Sequence, residues 1–111
     1  MPTTPPSLDA ATYADLRQAV GDDALPVLLG RFRQQLVDWS VTGEPQVLGA
    51  VAHGVIASSG LIGFVRLSRL CAALETACQA GDLEDVRDLA RQVLAEKAVA
   101  EAETARLMAV G

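Results

Sequence analysis

The sequence predicts an all-α protein, an antiparallel four-helix bundle with an additional short helix at its N-terminus. Three observations lead there. Apolar residues recur at spacings of three and four in successive segments, and no stretch alternates convincingly with period two. Half of the 111 residues are hydrophobic but only 4% are aromatic, so alanine, leucine and valine carry the apolar content. That balance favours closely packed helices over sheets. Between the segments stand glycine, proline and aspartate, the residues that stop and start helices.

Residues 1–6, Met-Pro-Thr-Thr-Pro-Pro, read as a disordered arm, because three prolines in six positions prevent a helix. Residues 7–111 read as the bundle. Ser7 or Asp9 can cap a first short helix with the stripe Tyr13, Leu16, Val20, and Gly21 ends it. Asp22 and Asp23 offer caps for the second helix, which tolerates Pro26 in its first turn. Its stripe is Leu25, Leu28, Leu29, Phe32, Leu36 and Trp39, with Gly43 as a stop beyond it. Glu44 and Pro45 start the third, whose inward stripe is Leu48, Val51, Ala52, Val55, Ser59 and Ile62. Gly63 follows as a C-cap or a close helix contact. The fourth carries Leu67, Leu70, Cys71, Leu74 and Cys78 and ends at Gly81. Asp82 caps the fifth, where Glu84 and Asp85 suit the positive end of the helix dipole. Its stripe, Val86, Leu89, Val93, Ala100 and Leu107, thins towards the C-terminus.

Several function classes are disfavoured by composition. A net charge of −5 argues against nucleic-acid binding and against a polybasic membrane contact. No apolar run is expected to approach the ~18 residues of a membrane span. The N-terminus has neither the basic residues nor the apolar core of a signal peptide, so a cytoplasmic protein is expected. Cys71 and Cys78 lie two helical turns apart, about 10 Å, too far for a disulfide. Both read as small buried hydrophobes, Cys78 with some exposure near its helix end. Trp39 reads as core. With one histidine and no Cys-x-x-Cys pair, no metal site is expected. No Gly-rich nucleotide cradle or serine-hydrolase elbow is present, so no cofactor is expected either.

His53 is the most informative residue. On a helix it shares a face with Gly49, Ala50, Ile56, Ala57 and Gly60, all but Ile56 very small. Each glycine costs about 1 kcal/mol relative to alanine in a helix interior. The expectation is an exposed imidazole on a flat surface where another protein can approach closely. Ser58 and Ser59 fall off that face and read as packing residues whose hydroxyls return to backbone carbonyls. A lone neutral imidazole can act as a nucleophile on phosphorus if its other nitrogen keeps a proton and is held in place. The donor must then bring the activated phosphoryl group, the metal ion and the charge stabilisation.

Ala52-His53, Ser58-Ser59, Gly63, Leu67, Leu70-Cys71 and Leu74-Glu75 together resemble the core of histidine-containing phosphotransfer (HPt) domains. Leu8-Asp9, Leu16, Gly21-Asp22, Leu28-Leu29-x-x-Phe32 and Ala80-Gly81-Asp82-Leu83 extend the resemblance to nearly the whole chain. It implies that His53 accepts a phosphoryl group at Nε2 from one receiver-domain aspartate and passes it to another. The implied partners are the receiver domain of a hybrid histidine kinase and a response regulator. The implied role is a carrier without its own ATP site, not an enzyme. Glu75 matches the position that orients the imidazole. Two residues depart from the pattern: Ile56 where the family usually has lysine, and Ala57 where it usually has glycine. The alternative is a docking or regulatory module that binds a receiver or kinase without transfer, and Ile56 is the residue that favours it. Arg66 and Arg69 read as ordinary solubilising charge with an option on the docking surface. A monomer is expected, since no large apolar stripe is left over once each helix buries one face.

Overall fold

The computed structural model describes residues 7–110 and contains, among them, four helices and no strand. They are α1 (Ala10–Asp38), α2 (Pro45–Ile62), α3 (Val65–Ala80) and α4 (Leu83–Val110). The expected arm over residues 1–6, like Gly111, lies outside the described residues. Short links at Gly63-Phe64 and Gly81-Asp82 force successive helices antiparallel, and the neighbours in contact run α1–α2–α3–α4 and back to α1. The all-helical bundle is therefore as expected.

The N-terminal segment meets the next helix at a kink. Ala10–Asp38 forms one element whose only non-helical residue is Gly21, at φ 83 and ψ 166. The break falls where glycine was expected to end a helix, and helix resumes at once, so two helical segments meet at a kink within α1. Leu16 is buried and Tyr13 and Val20 are half-buried against the core, which is why the first segment stays docked.

Helix ends follow the expected residues. Pro45 opens α2 after Glu44. Gly63 closes it in the left-handed conformation (φ 117), its N–H donating to the Ser59 carbonyl. Gly63 is also a close contact: a Cβ there would sit 2.8 Å from the Asp9 carbonyl oxygen, and the Asp9 N–H donates to the Gly63 carbonyl at 2.8 Å. Gly81, at φ 72, ends α3. Asp82 caps α4 by accepting from the Asp85 N–H at 3.1 Å.

Helix α2 corrects one expectation. Its 18 residues have a mean hydropathy of 1.3, long and apolar enough by length and composition to cross a membrane. The reason is that Pro45–Ile62 contains no Asp, Glu, Lys or Arg, while Gln46, His53, Ser58, Ser59 and three glycines interrupt any continuous apolar run. In the fold it is a bundle helix with Leu48, Ala52, Val55, Ser59 and Ile62 buried.

The core is built from Leu29, Leu36, Val55, Ile62, Phe64, Leu67, Leu74 and Val93, with Phe32 stacked on Phe64 at 5.5 Å between ring centres. Trp39 belongs to it, and so does Cys71, whose thiol burial pushes up to about 12. Cys78 is half-buried. Sequence reading passed over Glu96 and Lys97, which are buried on α4. Glu96 accepts from Ser7 Oγ at 2.6 Å and lies 3.5 Å from the Arg66 guanidinium, while Lys97 Nζ donates to Glu101 at 3.0 Å. The gap in the apolar stripe between Val93 and Ala100 was the signal, because positions 96 and 97 fall on that same face.

Candidate functional site

Helix α2 presents one edge of its surface to solvent midway along the bundle, and His53 stands on it. Its side chain is 74% exposed. Ala50 and Ala57 beside it are exposed as well, and Ile56 and Gly60 are half-buried, with Ile56 packed against the core. Gly49 departs from expectation. It is buried, and a Cβ there would lie 3.1 Å from Cys78 Cβ on α3. Its lack of a side chain serves the approach of two helices, so Gly49 is not part of an open face. A shallow groove of about 440 Å³ begins there, lined by Pro45, Gln46, Gly49, Ala50, Glu75, Cys78 and Gln79.

Glu75 comes from α3, antiparallel to α2, and its Oε2 lies 2.7 Å from His53 Nδ1. The carboxylate is 23% exposed, so the neighbouring helices fix its direction more than they fix the imidazole's. An ionised carboxylate only accepts, so this contact requires a proton on Nδ1. In the neutral ring the lone pair is then on Nε2, the nitrogen that Glu75 does not engage.

On the opposite flank, α1 meets α2 through Gln35. Ser58 Oγ donates to Gln35 Oε1 at 2.9 Å and approaches the Gly54 and Val55 carbonyls at 3.3 Å. Ser59 donates to the Val55 carbonyl at 2.5 Å. Ser58 thus ties α2 to α1, while the buried Ser59 returns its hydroxyl to a carbonyl of its own helix, as expected. Beyond Ser58 opens an apolar groove of about 490 Å³ lined by Val27, Leu28, Arg31, Phe32 and Leu61. Arg66 reaches Glu96 on the α4 side of α3, which commits it to the bundle, and Arg69 is exposed on α3. Among the described residues no three His, Cys, Asp or Glu side chains group so as to hold a metal ion.

Sequence reasoning missed Ser68. From α3 its hydroxyl donates to the Ile56 carbonyl at 3.1 Å, one turn from His53. Nothing in a single sequence marks it, since which α3 residues face α2 depends on how the two helices rotate against each other.

A family model described as the Hpt domain matches residues 13–105. Among solved structures, histidine-containing phosphotransfer protein B of Pseudomonas aeruginosa superposes with a TM-score of 0.83 at 26% identity, covering 97% of this chain and 99% of that one. A comparison with curated proteins returns no match.

Proposed function

The chain belongs to the Hpt domain family, whose role is histidine phosphotransfer in two-component signalling, and from that premise we propose that His53 is its phosphoacceptor. The observation that carries this is the 2.7 Å contact between Glu75 and Nδ1 of a histidine that is 74% exposed. The carboxylate keeps the proton on Nδ1 and leaves the Nε2 lone pair for a partner.

Transfer then proceeds in one displacement. Nε2 attacks the phosphorus of a receiver-domain aspartyl phosphate, an N–P bond forms, and the P–O bond breaks with its electron pair leaving on the aspartate. The Nδ1 proton stays, so the ring gains positive charge that Glu75 faces and stabilises. The receiver brings the metal ion and the activated phosphate, and this chain brings the nucleophile and its orientation. The reverse displacement delivers the group to a second receiver. On this reading the donor is the receiver of a hybrid histidine kinase, the acceptor is a response regulator, and the protein is a monomeric cytoplasmic carrier rather than an enzyme. Ala50, Ile56, Ala57 and Gly60 form the docking surface around the ring. Ile56 adds apolar contact where a lysine would add charge, so the phosphoryl oxygens draw cationic help from the partner.

The test is transfer from a phosphorylated receiver to wild type and to His53→Gln. Acid-labile label that depends on His53 supports the carrier. No label, with receiver binding retained by both proteins, favours the docking module instead.

A further inference from the structure

The small residues along the α2–α3 seam bracket the His53–Glu75 contact on both sides. Residue number rises along α2 as it falls along α3. In order, Gly49 meets Cys78, His53 meets Glu75, and Ile56 with Gly60 meets Ser68. At the first position the helices are as close as a glycine permits, since an added Cβ would lie 3.1 Å from Cys78 Cβ, inside the ~3.5–4.0 Å of comfortable carbon contact. At the third, Ser68 Oγ donates across the seam to the Ile56 carbonyl at 3.1 Å, and a Cβ on Gly60 would lie 3.5 Å from the same Ser68 Oγ. The Ile56 carbonyl is also approached by Ser59 Oγ at 3.3 Å from within α2, so Ser68 is the hydroxyl that ties it to α3.

A glutamate side chain has a fixed reach. Whether its carboxylate arrives 2.7 Å from Nδ1 or stops short depends on the distance between the two helices at that level. We propose that Ser68 and Gly49 are positioning residues, holding α2 and α3 at the spacing that brings Glu75 to Nδ1 of His53. The importance of this for transfer rests on His53 being the phosphoacceptor. The positioning itself does not.

The test reads the imidazole directly. Nitrogen-15 NMR of His53 at alkaline pH, where the ring is neutral, reports the ratio of Nδ1–H to Nε2–H tautomers. Wild type should be mainly Nδ1–H. Ser68→Ala should lower that ratio about five-fold, the equivalent of one ordinary hydrogen bond. Gly49→Ala should do the same by pushing Cys78 outward, and adding Cys78→Gly should restore the ratio by moving the missing Cβ to the other helix. Ser58→Ala removes a comparable hydroxyl from the α1 flank and should leave the tautomers unchanged. Wild-type ratios in both Ser68→Ala and Gly49→Ala would overturn the proposal. An equal shift in Ser58→Ala would do so too, by showing a general loosening. Failure of Cys78→Gly to rescue would overturn the spacing argument at Gly49. No phosphoryl group is involved, so a chain that proved unable to accept phosphate would still give a clear answer here.

Discussion

Glu96 and Glu75 lie on adjacent helices, and each meets a nitrogen-bearing side chain from another helix, yet their surroundings assign them different work. Glu96 is buried on α4, where Ser7 and Arg66 converge on it from the N-terminal segment and from α3. A partner protein cannot reach a carboxylate so enclosed, and it serves only the fold. Glu75 lies at the surface against a ring that is 74% exposed. A pair whose ring stands in solvent adds little stability, ~0–1 kcal/mol, and on the proposed reading its value lies in what it does to the imidazole. Position relative to solvent separates a residue that holds the chain together from one that, on the proposed reading, prepares a nucleophile.

That contrast breaks if the two carboxylates respond alike to substitution. Glu96→Ala should give the largest change, destabilising the fold by about 2 kcal/mol because Ser7 and Arg66 lose a buried acceptor. Urea denaturation measures it, and the folded fraction should still accept phosphate at the wild-type rate. Glu75→Ala should invert this pattern. Its stability cost stays below ~1 kcal/mol, while transfer slows about ten-fold as the imidazole loses its orienting contact. Rapid-quench kinetics with a phosphorylated receiver would show it, and a slowed Glu96→Ala beside an unaffected Glu75→Ala would refute the assignment.

A smaller effect is expected from Ile56→Lys, which places a cation one turn from His53 on the same side of α2. The phosphorylated form should become about two-fold more populated at equilibrium, the effect of one exposed helical ion pair. The smallest concerns a third carboxylate, Glu103. A hydrogen bond from Arg106 holds its carboxyl below the usual glutamate range, reinforced by the guanidinium charge and opposed by partial burial. A carboxyl whose folded pKa is lowered adds stability above its unfolded value and loses it as pH falls through the folded one. Glu103→Gln should therefore slightly flatten the acid limb of a stability–pH curve and leave transfer at neutral pH untouched.

Much of this arrangement was legible in the residues. Gly63 and Gly81 marked helix ends because both adopt left-handed backbone, and His53 stood out through its small neighbours. The pairing of His53 with Glu75, 22 positions apart, came from family resemblance, and the contact is present. Other features depended on relations between helices. Gly49 looked like part of an open face because helical periodicity places it near His53, whereas the rotation of α2 turns it against Cys78. Ser68 carried no mark of its own, since its partner lies 12 positions away, and Glu96 showed only as a gap in the α4 stripe, its partners 30 or more positions away. Gly21 was placed as a break, and the chain does leave helical geometry there, with helix resuming at once on its far side.

The most direct measurement is the chemical identity of the phosphorylated atom. The protein would be labelled through a phosphorylated receiver, localised by fragmentation, and read by phosphorus–nitrogen NMR with nitrogen-15 histidine. Phosphate on Nε2 of His53, with Nδ1 still protonated, is the predicted result. Phosphate on Nδ1, or on any residue other than His53, would contradict the account.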